Sequence, residues 1–223
     1  MSRWWAIVAT VVVAAACVGA SLRRRRPPRA EIRNLCDDTS LDAQTDAVRS
    51  VQAADLLIER EALEEIWSPY NLERLARTYW RFLTRVTLGL IRVHYTPTER
   101  YVVLLARPFR LLTFRAPEYE MDELRGLVRW RIERGLLVAK RGRGRGYLQI
   151  EIRREGAVGD DRERLHVEVV VANFYPSIAS GLSRRLYKIT QSRIHIVITY
   201  AFLRSLSRLD LAESRVGRFS PLS

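Results

Sequence analysis

The chain has 223 residues, 48% of them apolar, which is enough for one packed domain and argues against global disorder. Its formal charge is +13, yet residues 1–29 hold six arginines and no acid, leaving 32 basic against 25 acidic residues in the remainder. Positive charge comes almost entirely from arginine, with lysine only at Lys140 and Lys188. That pattern reads as compositional background sooner than as a nucleic-acid footprint, so nucleic acid is not an expected partner. Two cysteines, Cys17 and Cys36, with no C-x-x-C neighbour, exclude a disulfide framework and a zinc site.

Residues 4–20 carry no charge, and Ser21 and Leu22 extend the run to residue 22. As a helix this run would rise roughly 29 Å, the thickness of a bilayer core. Trp4 and Trp5 suit one interface; Arg23, Arg24, Arg25, Arg26 and Arg29 stand at the other. The expectation is a transmembrane anchor over residues 1–22 in the cell membrane, with the lipid bilayer as partner, the N-terminus outside and the following domain cytoplasmic. A cleaved signal peptide is the alternative, offering Val18-Gly19-Ala20 to a peptidase, but arginines directly after the cut oppose export. A lipoprotein reading through Cys17 lacks the usual leucine before it.

Residues 23–53 read as a basic juxtamembrane linker, polar over 30–39, with a helix expected from Ser40 to about Ala53. A domain is expected over 54–212, with a tail over 213–223. Leu56, Leu57 and Ile58 suit a short strand with a helix over 61–67; a single helix through 54–66 fits the same residues. Ser68-Pro69 stops it. Asn71 is the expected N-cap of an amphipathic helix running to about Leu88, with Leu72, Leu75, Ala76, Tyr79, Trp80, Leu83 and Val86 on its apolar stripe. Arg74, Arg77, Arg81 and Arg85 are expected to face away, and Gly89 marks the end.

Short apolar runs at 90–95, 101–106 and 111–115, broken by Pro97 and Pro108, read as strands. Val128, Trp130 and Ile132 then alternate with Arg129, Arg131 and Glu133. Leu148, Ile150 and Ile152 do the same, as do Leu165, Val167, Val169 and Val171. This period of two predicts an antiparallel sheet with one wet face. The Arg-Gly run at 141–146 is a hairpin loop between two strands. Residues 179–209 predict a long helix, with Leu182, Leu186, Ile189, Ile194, Val197, Phe202, Leu203 and Leu206 on its stripe.

The fold class expected is therefore α+β: a transmembrane helix, then about six antiparallel strands packed on a long C-terminal helix. This element order resembles the START-like, or helix-grip, superfamily. The stretch Leu57-Ile58-Glu59-Arg60-Glu61-Ala62-Leu63-Glu64-Glu65-Ile66-Trp67 looks like its first strand and helix, and Arg185-Leu186-Tyr187-Lys188 is similar to the entry of its last helix. The resemblance implies a curved sheet gripping the last helix, with an apolar ligand in the gap. It points Trp80, Val128, Trp130, Ile132 and Tyr187 at that ligand. Large aromatics on apolar faces also serve as plain core.

Nothing in the sequence assembles a catalytic group. His94, His166 and His195 have no partner signature, and Asp122-Glu123 and Asp160-Asp161 are adjacent acids in loops. Ser177, Ser180 and Ser183 lack a nucleophile elbow. No cofactor or metal is expected. Three readings follow: a membrane-tethered module for an apolar small molecule or lipid, a scaffold docking a protein or anionic lipid through a basic face, and a cyclase-like enzyme on the same fold.

Overall fold

The computed structural model describes residues 30–42, 44–104, 110–175, 199–200, 202–204, 206 and 211–212. Two antiparallel strands open it, β1 (Ala30–Leu41) and β2 (Val48–Glu59). Two helices follow, α1 (Arg60–Ile66) and α2 (Pro69–Val86). Then come β3 (Ile91–Tyr95), β4 (Glu99–Leu104), β5 (Arg110–Arg115), β6 (Glu118–Met121), β7 (Arg125–Arg134), β8 (Gly146–Val158) and β9 (Arg162–Phe174). All nine strands join one sheet in the order β1-β2-β9-β8-β7-β5-β4-β3, with β6 pairing on β7 beside β5. Every pairing is antiparallel.

The expected fold class needs correction in three places. The sheet has nine strands, not about six. Strand β1 lies where a polar linker was expected and β2 covers much of the expected helix from Ser40. β1 is an edge strand whose outer residues are mostly solvent-facing, so Asp and Asn are tolerated there. β2 is sandwiched between β1 and β9 and buried on both sides, so its residues show no period of two. Second, among the described residues of the C-terminal region helical structure is confined to residues between 199 and 206 and no long helix is found; the remainder of the 179–209 segment lies outside the described residues. Third, no described helix is long and apolar enough to cross a membrane. The longest described, α2, has 18 residues but carries Glu73, Arg74, Arg77, Arg81 and Arg85. The single-pass membrane placement, with its cytoplasmic domain, is corrected on that finding and is not carried into the functional reading. Trp4, Trp5, Arg23, Arg24, Arg25 and Arg26 lie outside the described residues.

Helix α2 starts one turn earlier than expected. Ser68, not Asn71, is its cap: the Ser68 hydroxyl accepts from the Asn71 amide at 3.3 Å, and Pro69 occupies the first turn, where its missing N–H costs nothing. Ser68→Ala is expected to lower stability by about 1 kcal/mol, read as a shift in the denaturation midpoint at unchanged slope. The helix ends as the chain turns through Leu88 and Gly89, both at positive φ, with the Gly89 amide donating to the Thr84 carbonyl at 2.8 Å.

The apolar stripe of α2 packs on the sheet face formed by Leu56, Ile58, Val128, Trp130, Ile132, Leu148, Ile150, Leu165, Val167 and Val169, all buried. At its centre aromatic rings meet edge to face. Trp80 lies 5.2 Å from Trp130, 5.3 Å from Tyr79 and 5.3 Å from Phe114, and Tyr79 lies 5.4 Å from Phe202. Phe202, Leu203 and Leu206 thereby close the layer from the C-terminal side.

The opposite face of the sheet is polar and cross-linked. The Asn34 amide donates to Asp55 at 2.7 Å, and His166 Nδ1 lies 2.8 Å from the other Asp55 oxygen. Burial alone would raise the Asp55 carboxyl, but the His166 and Asn34 hydrogen bonds outweigh it and hold the group below the usual carboxylate range. Arg153 reaches Glu168 and Glu151, Arg125 reaches Glu151 and Glu120, and Arg131 reaches Glu118. Many arginines on this face are thus engaged in cross-strand ion pairs.

Candidate functional site

A crevice lies between the α1–α2 junction and the sheet. β2 contributes Leu56 and Ile58, β9 Leu165 and Val167, and β8 Ile152. The helices contribute Leu63, Ile66, Leu72 and Leu75, and β6 adds Met121. On β8 and β9 each wall residue alternates with polar neighbours on the opposite face, so the period of two read from the sequence delivers that part of the apolar wall. Its volume is about 60 Å³. That holds a few water molecules' worth of an apolar group and is far below the roughly 300–1,000 Å³ of pockets for drug-sized ligands.

One position of the wall contributes no side chain. The face of β7 that looks into the layer reads Gly126, Val128, Trp130, Ile132, and only the first position lacks a side chain. A methyl placed on Gly126 would meet Leu72 Cδ1 at 3.5 Å, ordinary van der Waals contact. A glycine inside a central strand forgoes packing, so it commonly marks a bulge or a place where something else approaches closely.

The polar members of the lining are Ser68 and Asn71, both engaged at the start of α2. Trp67 stands at the rim, its indole N–H donating to the Asp122 carbonyl at 3.0 Å. Arg154 stacks on the Trp67 ring, 5.5 Å from its centroid. It donates bidentately to Glu163 at 2.6 and 2.8 Å and to Glu64 of α1 at 2.7 Å, tying α1 to β8 and β9. The Arg154 guanidinium holds the Glu163 carboxyl below its ordinary value. Across the crevice, Arg74 donates to the Leu211 and Ala212 carbonyls at 3.3 and 3.0 Å. The Ala212 amide donates to the Thr78 hydroxyl at 2.7 Å, holding Leu211 over the apolar wall with Leu206.

The residues singled out from the sequence are placed as follows. Trp80, Val128, Trp130 and Ile132 are brought together in one buried cluster, beside the crevice and not on its wall. Tyr187 lies outside the described residues. Arg74, expected to face solvent, is the clamp on the C-terminal residues. Arg77, also expected outward, is only 18% exposed along its side chain, with its guanidinium carbon 5.4 Å from the Tyr95 ring centroid. Of the histidines, His94 stacks on Tyr101 at 5.4 Å and His166 pairs with Asp55, both on the sheet face away from the crevice, while His195 lies outside the described residues. The Arg-Gly run forms the expected turn between β7 and β8, with Arg141 paired to Asp46 at 2.6 Å. Among the described residues no group of three or more His, Cys, Asp or Glu is placed to hold a metal ion.

The reading from sequence missed Gly126, Arg154 and the Ser68 cap. The signal for Gly126 was present, as a glycine at the first inward position of an otherwise bulky alternation. Arg154 also carried one, as an arginine at the inward position after Leu148, Ile150 and Ile152, but its partners Glu64 and Glu163 come from separate elements and were not legible.

No family model matches this chain, and no curated protein sequence does. Among solved structures it is similar to CalU16 from Micromonospora echinospora. The solution structure shares 12% identity over 89% of this chain and 85% of that one, at a TM-score of 0.29. The crystal structure of CalU16 shares 10% identity over 79% and 98% of the two chains, at 0.23. An uncharacterised protein from Rhizobium leguminosarum shares 14% identity over 70% and 98%, also at 0.23. Likenesses this distant carry no functional argument. What stands on the topology itself is the fold: two strands, two helices and seven further antiparallel strands in one sheet, an order compatible with the helix-grip arrangement.

Proposed function

We propose that this domain binds the apolar end of a small ligand, without covalent chemistry, in the crevice beneath the α1–α2 junction. The observation that carries the reading is Gly126. As the second residue of β7 it gives the apolar wall no side chain, and a residue larger than alanine would press into the crevice against Leu72. The small volume restricts the bound part to a short alkyl chain or a comparable apolar group, and a longer molecule must extend beyond the crevice. The crevice lining offers no general acid or base, because Ser68 and Asn71 are occupied in capping α2; this favours binding over catalysis.

The test pairs native mass spectrometry of the full chain with calorimetric titration of octan-1-ol. Wild type is expected to bind the alcohol, and Gly126→Leu, which fills the space, to lose that binding while keeping its fold. Gly126→Ala is expected to weaken binding and to raise stability by about 0.4–1 kcal/mol through reduced freedom of the unfolded chain. Ligand-free wild type that takes up no octan-1-ol defeats the reading. The scaffold alternative would then lead, favoured by the interior that Tyr79, Trp80, Phe114, Trp130 and Phe202 fill.

A further inference from the structure

Beside the crevice, the flank of α2 that faces β3, β4 and β6 carries a second set of groups that its apolar wall does not use. Glu73 and Arg77 lie one turn apart on α2. The Arg77 guanidinium sits over the Tyr95 ring, and so does that of Arg100 from β4, with centroid distances of 5.4 and 5.1 Å. Two guanidiniums therefore converge on one exposed tyrosine. Tyr119 of β6 interacts electrostatically with Glu73, Arg77 and Arg100 alike.

The charges here do not balance. Glu73 is only 9% exposed; its Oε1 lies 4.0 Å from Arg77 Nη1, its Oε2 is buried without a hydrogen-bond partner, and so is Arg77 Nε. Glu99, next to Arg100 in sequence, directs its carboxylate to Arg134 at 2.9 Å instead. Arg100 is held in place by donating to the Thr96 and Glu99 carbonyls. Among the described residues the cluster thus sets two arginines against one carboxylate in a partly desolvated place, where an added anion is favoured. Desolvation first, and then the Glu73 carboxylate, raise the Tyr119 hydroxyl above its ordinary value, so it stays a neutral donor.

Position relates this cluster to the crevice. Leu72 lines the crevice and Glu73 follows it. On β6, Met121 lines the crevice, and Tyr119 is two residues before it on the same face, roughly 6.6 Å along the strand. A ligand with its apolar end against Met121 and Leu72 therefore has the Tyr119 side of the crevice, where both arginines act, along its path.

We infer that Arg77 and Arg100, with Tyr119, bind the carboxylate of an amphipathic ligand whose short alkyl end occupies the crevice, so that the ligand class is a medium-chain carboxylic acid. This rests on the apolar-ligand reading above. Glu73 is the positioning residue, holding Arg77 toward the rim. The carboxylate is ionised at neutral pH and accepts hydrogen bonds from the guanidiniums while the chain supplies apolar contact.

The test compares octanoate with octan-1-ol, equal in chain length and different in charge, by calorimetry on the full chain at pH 7. Wild type is expected to bind octanoate about tenfold or more tightly than the alcohol. Arg77→Gln and Arg100→Gln are each expected to weaken octanoate about tenfold and leave octan-1-ol unchanged, while Arg77→Lys, keeping the charge without the fork, recovers part of the loss. Thermal melts check that each variant folds; should Arg77→Gln not fold, Arg100→Gln decides. Equal affinity of wild type for the two probes, or octanoate binding unaltered in a folded arginine variant, overturns the carboxylate site and leaves the apolar crevice standing. Failure of both probes to bind removes the crevice reading and this inference with it.

Discussion

Trp130→Ala is expected to destabilise the domain by about 4 kcal/mol, the upper part of the range for removing a buried aromatic. Trp130 is 1% exposed on the middle strand of the inner face, 5.2 Å from Trp80 and nearly perpendicular to it. Truncation would forfeit the burial of the ring and its edge-to-face contact. It would also leave a cavity that Trp80, itself pinned by Tyr79 and Phe114, has little freedom to fill. Against a total stability of about 5–15 kcal/mol for an ordinary domain, such a loss is a large fraction. Equilibrium urea denaturation should show the midpoint falling at constant slope, and the melting temperature dropping by roughly 8–16 °C. Trp130→Phe, keeping most of the volume, should cost clearly less. A Trp130→Ala variant within about 1 kcal/mol of wild type would mean that the aromatic cluster is not the centre of the core.

Arg154→Ala is expected to cost about 3 kcal/mol at pH 7, because it leaves Glu163, 6% exposed, as a buried carboxylate without its bidentate partner. Arg60 supplies only a weaker attraction. The Glu64 arm of the network adds little, since Glu64 is 58% exposed and solvent screens it. The sign of the pH dependence follows from the lowered Glu163 carboxyl. In wild type the pair's contribution is complete above the unfolded glutamate value of about 4.3. It is lost as pH falls from there through the lower folded value. In Arg154→Ala the carboxyl loses the cation that held it down, so its protonation in acid relieves the buried charge. The difference between wild type and variant is therefore largest near neutrality and shrinks below about pH 4. Stability curves of the two proteins from pH 3 to 8 measure this directly, and a gap that stayed constant with pH would assign the loss to packing against Trp67 instead.

Both sites are composite, which bears on how much the sequence could show. Trp80 and Trp130 are each recognisable as inward-facing from their own periods, 3.6 on α2 and 2 on β7. Their contact joins residues far apart in the chain and is made only when the helix lies on the sheet. Arg154 continues the inward parity of Leu148, Ile150 and Ile152, so an arginine stands where the alternation calls for an apolar residue. It is held because the β8–β9 hairpin places Glu163 across from it and α1 brings Glu64 over the same edge. Arg74 and Arg77 were misjudged for a related reason. A helical wheel divides α2 into two faces, whereas here the sheet and the C-terminal residues enclose it on more than one side.

By itself, the sequence determined α2, the outer strands of its meander, the three alternating strands β7 to β9, the turn at the Arg-Gly run and the presence of an inward apolar face. These follow from local periodicity, and periodicity survives without knowledge of neighbours. It did not determine β1 and β2, because an exposed edge strand and a strand covered on both sides each lack the alternation that marks a half-buried one. Nor did it determine the crevice. That space has walls drawn from two helices and six strands, with Gly126 contributing no side chain, so only the tertiary packing decides that it is left open. The Arg77–Arg100 pair is decided the same way: two like charges meet over the Tyr95 ring because α2 lies against the sheet there, a relation encoded in the packing and in no single segment.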